Sequence, residues 1–199
     1  MTYRPTAFMN TDYGAWADHP EPAAPDRIAA TGKRISPPVT PSQPGDQYSR
    51  IRMGCQALII NPQGLVLLVN SDRREGWSLP GGTARDDELP HLAATRAVRA
   101  ETGLDLHFSD ALIVDITPHP YEPRGVDHVF TAQVTARTAA TATIPARALA
   151  EVGEIAWVEP DSIPDRCTEE RTRRIWSALL RLTDPFAPVY HVDGRPIGV

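Results

Sequence analysis

The chain has 199 residues, a net charge of −5 and a hydrophobic fraction of 41%. This length suits one domain with extensions, and the negative charge argues against a nucleic acid as partner. No apolar run reaches the roughly 18 residues that a transmembrane helix needs, so we expect no membrane partner. There is no apolar secretory segment after Met1, and Cys55 and Cys167 lack the spacing of a zinc site or a disulfide framework. A cytoplasmic protein is therefore expected.

The first 49 residues form a proline-rich extension that predicts extended linker structure. Four aromatic residues make it richer in large side chains than a simple spacer: Tyr3, Phe8, Tyr13 and Trp16. They would dock either on the domain or on a second subunit, as in a homodimer, and the alternative is a disordered segment. We expect the domain itself to span residues 50–183, with a C-terminal tail over residues 184–199.

The domain begins with a predicted β-hairpin over residues 51–70. Apolar runs at residues 57–60 and 65–69 flank the turn sequence Asn61-Pro-Gln-Gly64. A charged loop over residues 71–76 follows.

The most informative segment is residues 77–104, which opens with Trp77-Ser-Leu-Pro-Gly-Gly82. The Leu79–Gly82 run contains breakers of both helix and strand and predicts a loop. Pro90 suits the first turn of a helix, and Gly103 suits the left-handed position just after a helix end. We therefore predict a loop followed by a helix over residues 90–102.

This segment resembles the Nudix box, the pyrophosphate-hydrolysing signature G-x5-E-x7-R-E-U-x-E-E-x-G-U, in which U is bulky and apolar. The match consists of Gly82, Glu88, Arg96, Val98, Glu101, Gly103 and Leu104. Alanine replaces two of the family's glutamates, at Ala97 and Ala100. The resemblance implies an α+β fold, a Nudix-type α/β/α sandwich with a mixed β-sheet.

By the same resemblance, Glu101 would be a metal ligand and a catalytic residue, and Gly82 would offer its backbone carbonyl to the metal. Glu88 and Arg96 would form an internal pair that braces the loop against the helix. Positions 97, 100 and 101 share one helix face, and this chain keeps one carboxylate there. We expect Mg²⁺ or Mn²⁺ to bind weakly, or only together with substrate phosphates.

Two loops hold basic residues that are weaker candidates for substrate binding. Arg73 and Arg74 lie in the loop after the hairpin, where family members often have basic residues. His119 and Arg124 lie in a proline-rich loop between two predicted strands. For all four, an exposed loop without a role in binding is the alternative.

Strands are expected over residues 111–116 and 128–134 from their apolar pattern, and an amphipathic helix is expected over residues 168–182. Residues 151–158 resemble the late strand of the Nudix family. The tail contains an Asp193-Gly194 turn between short β-prone pieces, and Pro196 restricts that hairpin to a sheet edge. In several Nudix proteins a glutamate before the late strand is a further metal ligand or the catalytic base, which makes Glu151 and Glu154 candidates.

Two classes of function are compatible with the sequence. The first is a Nudix-type hydrolase that cleaves a pyrophosphate bond in a nucleoside diphosphate derivative or another organic pyrophosphate, with a depleted metal site. The second is a catalytically impaired Nudix-fold protein that binds such a small molecule or performs a non-hydrolytic reaction. The Ala97 and Ala100 pair discriminates between the two classes.

Overall fold

The computed structural model describes residues 51–71, 75–117 and 125–197. Within these ranges the strands are β1 (Arg52–Ile60), β2 (Val66–Asn70), β3 (Trp77–Ser78), β4 (Gly81–Thr83), β5 (Ala111–Thr117), β6 (Gly125–Gln133), β7 (Glu154–Val158), β8 (Tyr190–Val192) and β9 (Arg195–Pro196). The helices are α1 (Pro90–Thr102), α2 (Ala136–Ala139) and α3 (Glu169–Thr183). No helix in these ranges is long and apolar enough to cross a membrane.

The strands form one mixed sheet with the order β3-β2-β1-β6-β5-β8-β9. Strand β1 pairs in parallel with β6 and β5 pairs in parallel with β8, whereas the other pairings are antiparallel. Along its other edge, β1 pairs with β4 near its start and with β2 at its end. Strand β1 is therefore the centre of the fold and lies beside the box.

Helices cover both faces of this sheet. Because side chains alternate along a strand, one set of β1 residues, which includes Ala57, packs against Val98 of α1. The opposite set includes Leu58, which shares a second core with Ile175 and Ala178 of α3. The α/β/α sandwich with a mixed sheet is confirmed.

The predicted hairpin and helix are present. Asn61 closes the β1–β2 turn, since its side-chain oxygen accepts hydrogen bonds from the backbone N–H groups of Gln63 and Leu65. Helix α1 has Pro90 in its first turn and ends at Gly103, whose φ of 69° is left-handed. The N–H of Gly103 donates to the carbonyl of Arg99 at 3.2 Å.

The loop prediction for Leu79–Gly82 was right for Leu79 and Pro80, which lie between β3 and β4, and wrong for Gly81 and Gly82, which belong to strand β4. This strand pairs antiparallel with residues 54–56 of β1, and the N–H of Ala57 donates to the carbonyl of Pro80. The backbones approach so closely that a Cβ on Gly81 would lie 2.3 Å from the Cys55 carbonyl oxygen. Glycine is thus used for close backbone approach, a long-range requirement that local loop propensity does not reveal.

Two short strands of the C-terminal tail, β8 and β9, also belong to the sheet. Strands β8 and β9 pair antiparallel, and β9, which contains Pro196, is the edge strand, in agreement with the tail prediction. The turn between them is fixed to α3, since Ser177 Oγ donates to the carbonyl of Gly194 at 3.0 Å. Arg173 Nε likewise donates to the carbonyl of Asp193 at 2.9 Å.

Candidate functional site

Strand β4 and helix α1 are joined by the one box carboxylate that remains on the 97/100/101 face. Glu101 Oε2 accepts a hydrogen bond of 2.8 Å from the N–H of Gly81. Beside it, the Ala97 methyl would lie 3.2 Å from a Cβ placed on Gly82. The sequence-predicted residues Gly82 and Glu101 therefore lie at the same junction, in which Ala97 is buried.

A second contact between loop and helix is the pair of Glu88 and Arg96. Arg96 Nε and Nη2 donate to the two Glu88 oxygens, each at 2.7 Å, and Nη2 also reaches the carbonyl of Thr83 at 3.1 Å. The Arg96 guanidinium, together with the N–H of Arg85, lowers the pKa of Glu88 to about 2. A bidentate, charge-assisted pair of this kind holds the end of β4 against α1.

A polar pocket of about 420 Å³ lies on the face of the sheet that carries α3. Its walls come from β1, β4, β6, the end of β5 and the start of α3: Arg52, Gly54, Gln56, Gly81, Gly82, Thr83, Thr117, Asp127, Glu170, Arg171 and Arg174. Strand β4 is therefore shared between this pocket and the box.

The floor of the polar pocket is a buried network centred on Arg174, whose side chain is 5% exposed. Arg174 Nε donates to Asp115 Oδ2 at 2.7 Å, and Nη2 donates to Thr117 Oγ1 at 2.8 Å and to Glu170 Oε1 at 2.7 Å. Burial alone would lower the pKa of Arg174, but the carboxylates of Asp127 and Asp115 outweigh this effect and raise it. Arg174 is thus a permanently charged group that holds the side chains of the pocket floor in position.

Arg52, a second arginine of the polar pocket, is more accessible than Arg174. Its Nη2 contacts both oxygens of Asp127 at 3.2 Å, while 46% of its side chain stays exposed. Two glycines make this arrangement possible. A Cβ on Gly54 would lie 1.8 Å from Asp127 Oδ1, and one on Gly125 would lie 2.8 Å from Arg52 Nη2.

Mg²⁺ prefers oxygen ligands. On the 97/100/101 face, Ala97 and Ala100 have methyl groups, and one oxygen of Glu101 accepts a hydrogen bond from the N–H of Gly81. Among the residues that the structure describes, no group of three or more His, Cys, Asp or Glu side chains could hold a metal ion.

The other predicted residues lie elsewhere or are not described. Glu151 is an exposed residue in a turn, with its N–H on the carbonyl of Ala148, and Glu154 is the exposed first residue of β7. Neither lines the polar pocket, and their catalytic role stays a prediction. Arg73, Arg74, His119 and Arg124 lie outside the described residues, as does the N-terminal extension.

Sequence reasoning missed the polar pocket and its charged residues. Asp115 and Asp127 are almost fully buried within apolar strands, and Arg174 is buried on the inner side of α3. A charged residue inside an apolar strand is a usable signal, since a buried charge needs a partner. The sequence does not reveal which partner, because Arg174 and Asp115 are 59 residues apart.

The family model of the NUDIX domain matches residues 51–179, and the chain belongs to the NUDIX family. Its fold is similar to that of the MutT protein from Methanosarcina mazei Go1, at 23% identity and a TM-score of 0.55 over 68% of this chain and 97% of that one. It is also similar to a UDP-X diphosphatase, at 19% identity and a TM-score of 0.56 over 75% of this chain and 70% of that one. A third similar structure is the NUDIX domain of Shewanella oneidensis NrtR complexed with ADP ribose, at 16% identity and a TM-score of 0.57. The match covers 71% of this chain and 94% of that one. No curated protein matches the chain.

Proposed function

We propose that this chain binds a nucleoside diphosphate derivative, or another organic pyrophosphate, in the polar pocket and hydrolyses its pyrophosphate bond. The observation that carries the proposal is the position of β4, which is a wall of the pocket and is also held by Glu101. A substrate in the pocket would thus lie against a strand that Glu101 of the box holds in place. The UDP-X diphosphatase and the ADP-ribose complex among the similar structures support this class of ligand.

Arg52 is the residue that we assign to phosphate binding. Only its Nη2 is used by Asp127, and its other guanidinium N–H groups make no hydrogen bond with the described residues. A guanidinium can bind a phosphate through two parallel hydrogen bonds. In the reaction, water would attack phosphorus, and Arg52 would offset the negative charge that develops on the phosphoryl oxygens.

Glu101 has two roles in this proposal. One oxygen positions Gly81. The negative charge of the carboxylate acts electrostatically on the water and the phosphoryl group, which would react on the other side of β4. Glu151 and Glu154 remain candidates for the base that removes a proton from the attacking water. A divalent cation, Mg²⁺ or Mn²⁺, would arrive with the phosphates of the substrate, because the box lacks the oxygen ligands to hold one beforehand.

Binding without hydrolysis is the second candidate function. It is favoured by the methyl groups of Ala97 and Ala100 on the face where the family has carboxylates. A pocket that retains its arginines but lacks a competent box would still recognise the pyrophosphate. In that case the chain would be a ligand-binding or non-hydrolytic member of the family.

The decisive experiment is a phosphate-release screen of the full chain across nucleotide sugars, dinucleoside polyphosphates and oxidised nucleotides, with Mg²⁺ and with Mn²⁺. Hydrolysis that Arg52→Gln weakens by at least about tenfold in kcat/KM would support the proposal. Arg195→Gln, which changes an exposed arginine of β9, is the matched control and should leave the rate unchanged. Ligand binding with no product formation would instead establish the second function.

A further inference from the structure

A second pocket, of about 690 Å³, lies on the outer face of helix α1. Four of its lining side chains are arginines, and we call it the arginine pocket: Arg85, Leu92, Thr95, Arg96, Arg99, Ala100 and Arg147. It contains none of the residues that line the polar pocket, so it is a separate site.

The positive charge of the arginine pocket is only partly compensated. Glu88 neutralises Arg96. Arg99 has Asp105 at 3.8 Å, but both side chains are more than 60% exposed, so this pair contributes little. Arg147 is exposed and has no hydrogen bond or ion pair with the residues that the structure describes. The chain as a whole is negative, so this concentration of cations is a local feature.

Ala100 is the small residue at this pocket. Its side chain leaves room between the arginines of α1 and Arg147, which comes from the 3-10 turn at Ala146–Ala148. A glutamate at this position, as the family pattern has, would bring a carboxylate among the guanidinium groups and compensate their charge. With alanine, the helix edge at the box is cationic instead of anionic.

We propose that the arginine pocket binds phosphate groups directly, without a bridging metal ion. Guanidinium groups match phosphate oxygens with paired hydrogen bonds that are stronger than neutral ones. The chemistry fits inorganic pyrophosphate and the terminal phosphates of a nucleotide equally. Further donors at this site are Thr95 and the guanidinium N–H groups of Arg147 and Arg85, which make no hydrogen bond with the described residues.

The test is a calorimetric titration of the full chain with inorganic pyrophosphate in the presence of EDTA. The titrations are performed in the Arg52→Gln background, so that binding in the polar pocket is weakened and does not mask the arginine pocket. Saturable binding is expected, and Arg147→Gln should weaken it by at least about tenfold. Arg137→Gln, which changes an exposed arginine of α2 outside both pockets, is the matched control and should have no effect.

Position 100 provides a second, independent arm. Ala100→Glu should weaken pyrophosphate binding by a similar factor, whereas Ala100→Gln, which has the same size without the charge, should weaken it much less. Parallel titrations with ADP and with adenosine distinguish a nucleotide phosphate from free pyrophosphate, since adenosine should not bind here. Circular dichroism and melting curves establish that each variant is folded.

Three results would overturn the inference: no pyrophosphate binding in EDTA, binding that appears only when Mg²⁺ is added, or binding that Arg147→Gln and Ala100→Glu leave unchanged. These outcomes are separate from the fate of the proposed hydrolysis. A chain that hydrolyses no substrate can still bind pyrophosphate in the arginine pocket, and a competent hydrolase can fail to do so.

Discussion

Replacement of Arg174 by methionine should destabilise the fold by about 3–5 kcal/mol, the range observed when one partner of a buried ion pair is removed. Methionine keeps much of the length of the side chain but removes the guanidinium. Arg174 donates to Asp115, Thr117 and Glu170, and Asp127 Oδ2 lies 3.3 Å from its Nη2. All of these contacts disappear in the variant.

Asp115 accounts for most of this loss. It is 0% exposed, and without Arg174 the side-chain hydrogen bond that it keeps with the described residues is the one of 2.9 Å from the N–H of Gly194. Asp127 remains paired in the variant, because Arg52 still donates to both of its oxygens.

The measurement is chemical denaturation at pH 7, with Arg173→Met as the matched control. Arg173 pairs with Glu169 and Asp193 at the surface, and its loss should cost about 1 kcal/mol or less. An Arg174→Met variant within about 1 kcal/mol of the natural chain at pH 7 would refute the role of the network. In a double-mutant cycle with Asp115→Asn, the two changes should be far from additive.

Three further predictions concern the box and the polar pocket. Glu101→Gln can still accept the Gly81 hydrogen bond but lacks the charge, so kcat for a cleaved substrate should fall at least about tenfold with little change in melting temperature. The Ala97→Glu/Ala100→Glu variant should raise Mg²⁺-dependent turnover at least about tenfold in the phosphate-release assay, while melting curves show that the buried change at 97 destabilises the fold more than the change at 100. Gly54→Ala places a methyl group where the Asp127 carboxylate lies, so it should weaken ligand binding in calorimetry, and unchanged affinity would contradict the assigned geometry.

The elements that the sequence predicts well are those whose signals are local. Helix α1 has Pro90 at its start and Gly103 at its end, and the β1–β2 turn is closed by Asn61 through its own neighbours. Local signals do not predict strand β4, because its pairing with β1 joins residues almost 30 positions apart. Its glycines have the same local signature as a loop, and only the close approach of the Cys55 backbone reveals their use.

The candidate site divides in the same way. The resemblance to the Nudix box implies that Glu88 and Arg96 pair and that Glu101 lies near Gly82, and these residues do lie together at the junction of α1 and β4. The polar pocket depends on pairs such as Arg52 with Asp127, which are 75 residues apart. Such partners follow from strand register across the sheet, which one sequence does not fix.

The two alanines of the box have different physical consequences, although in the sequence they represent the same kind of change. Ala97 is buried, and its methyl group packs against Gly82, so it allows α1 to lie close to β4. Ala100 lies at the edge of the helix and opens onto the arginine pocket. The first change therefore concerns packing and the second concerns charge. Loss of metal ligands alone would explain both alanines. It would not explain why Arg147, an exposed arginine that has no ion pair with the described residues, lies beside position 100. A site that binds phosphate directly through guanidinium groups accounts for both the alanine at position 100 and the arginine beside it. Experiments should therefore vary the charge at position 100, and not only the number of carboxylates in the box.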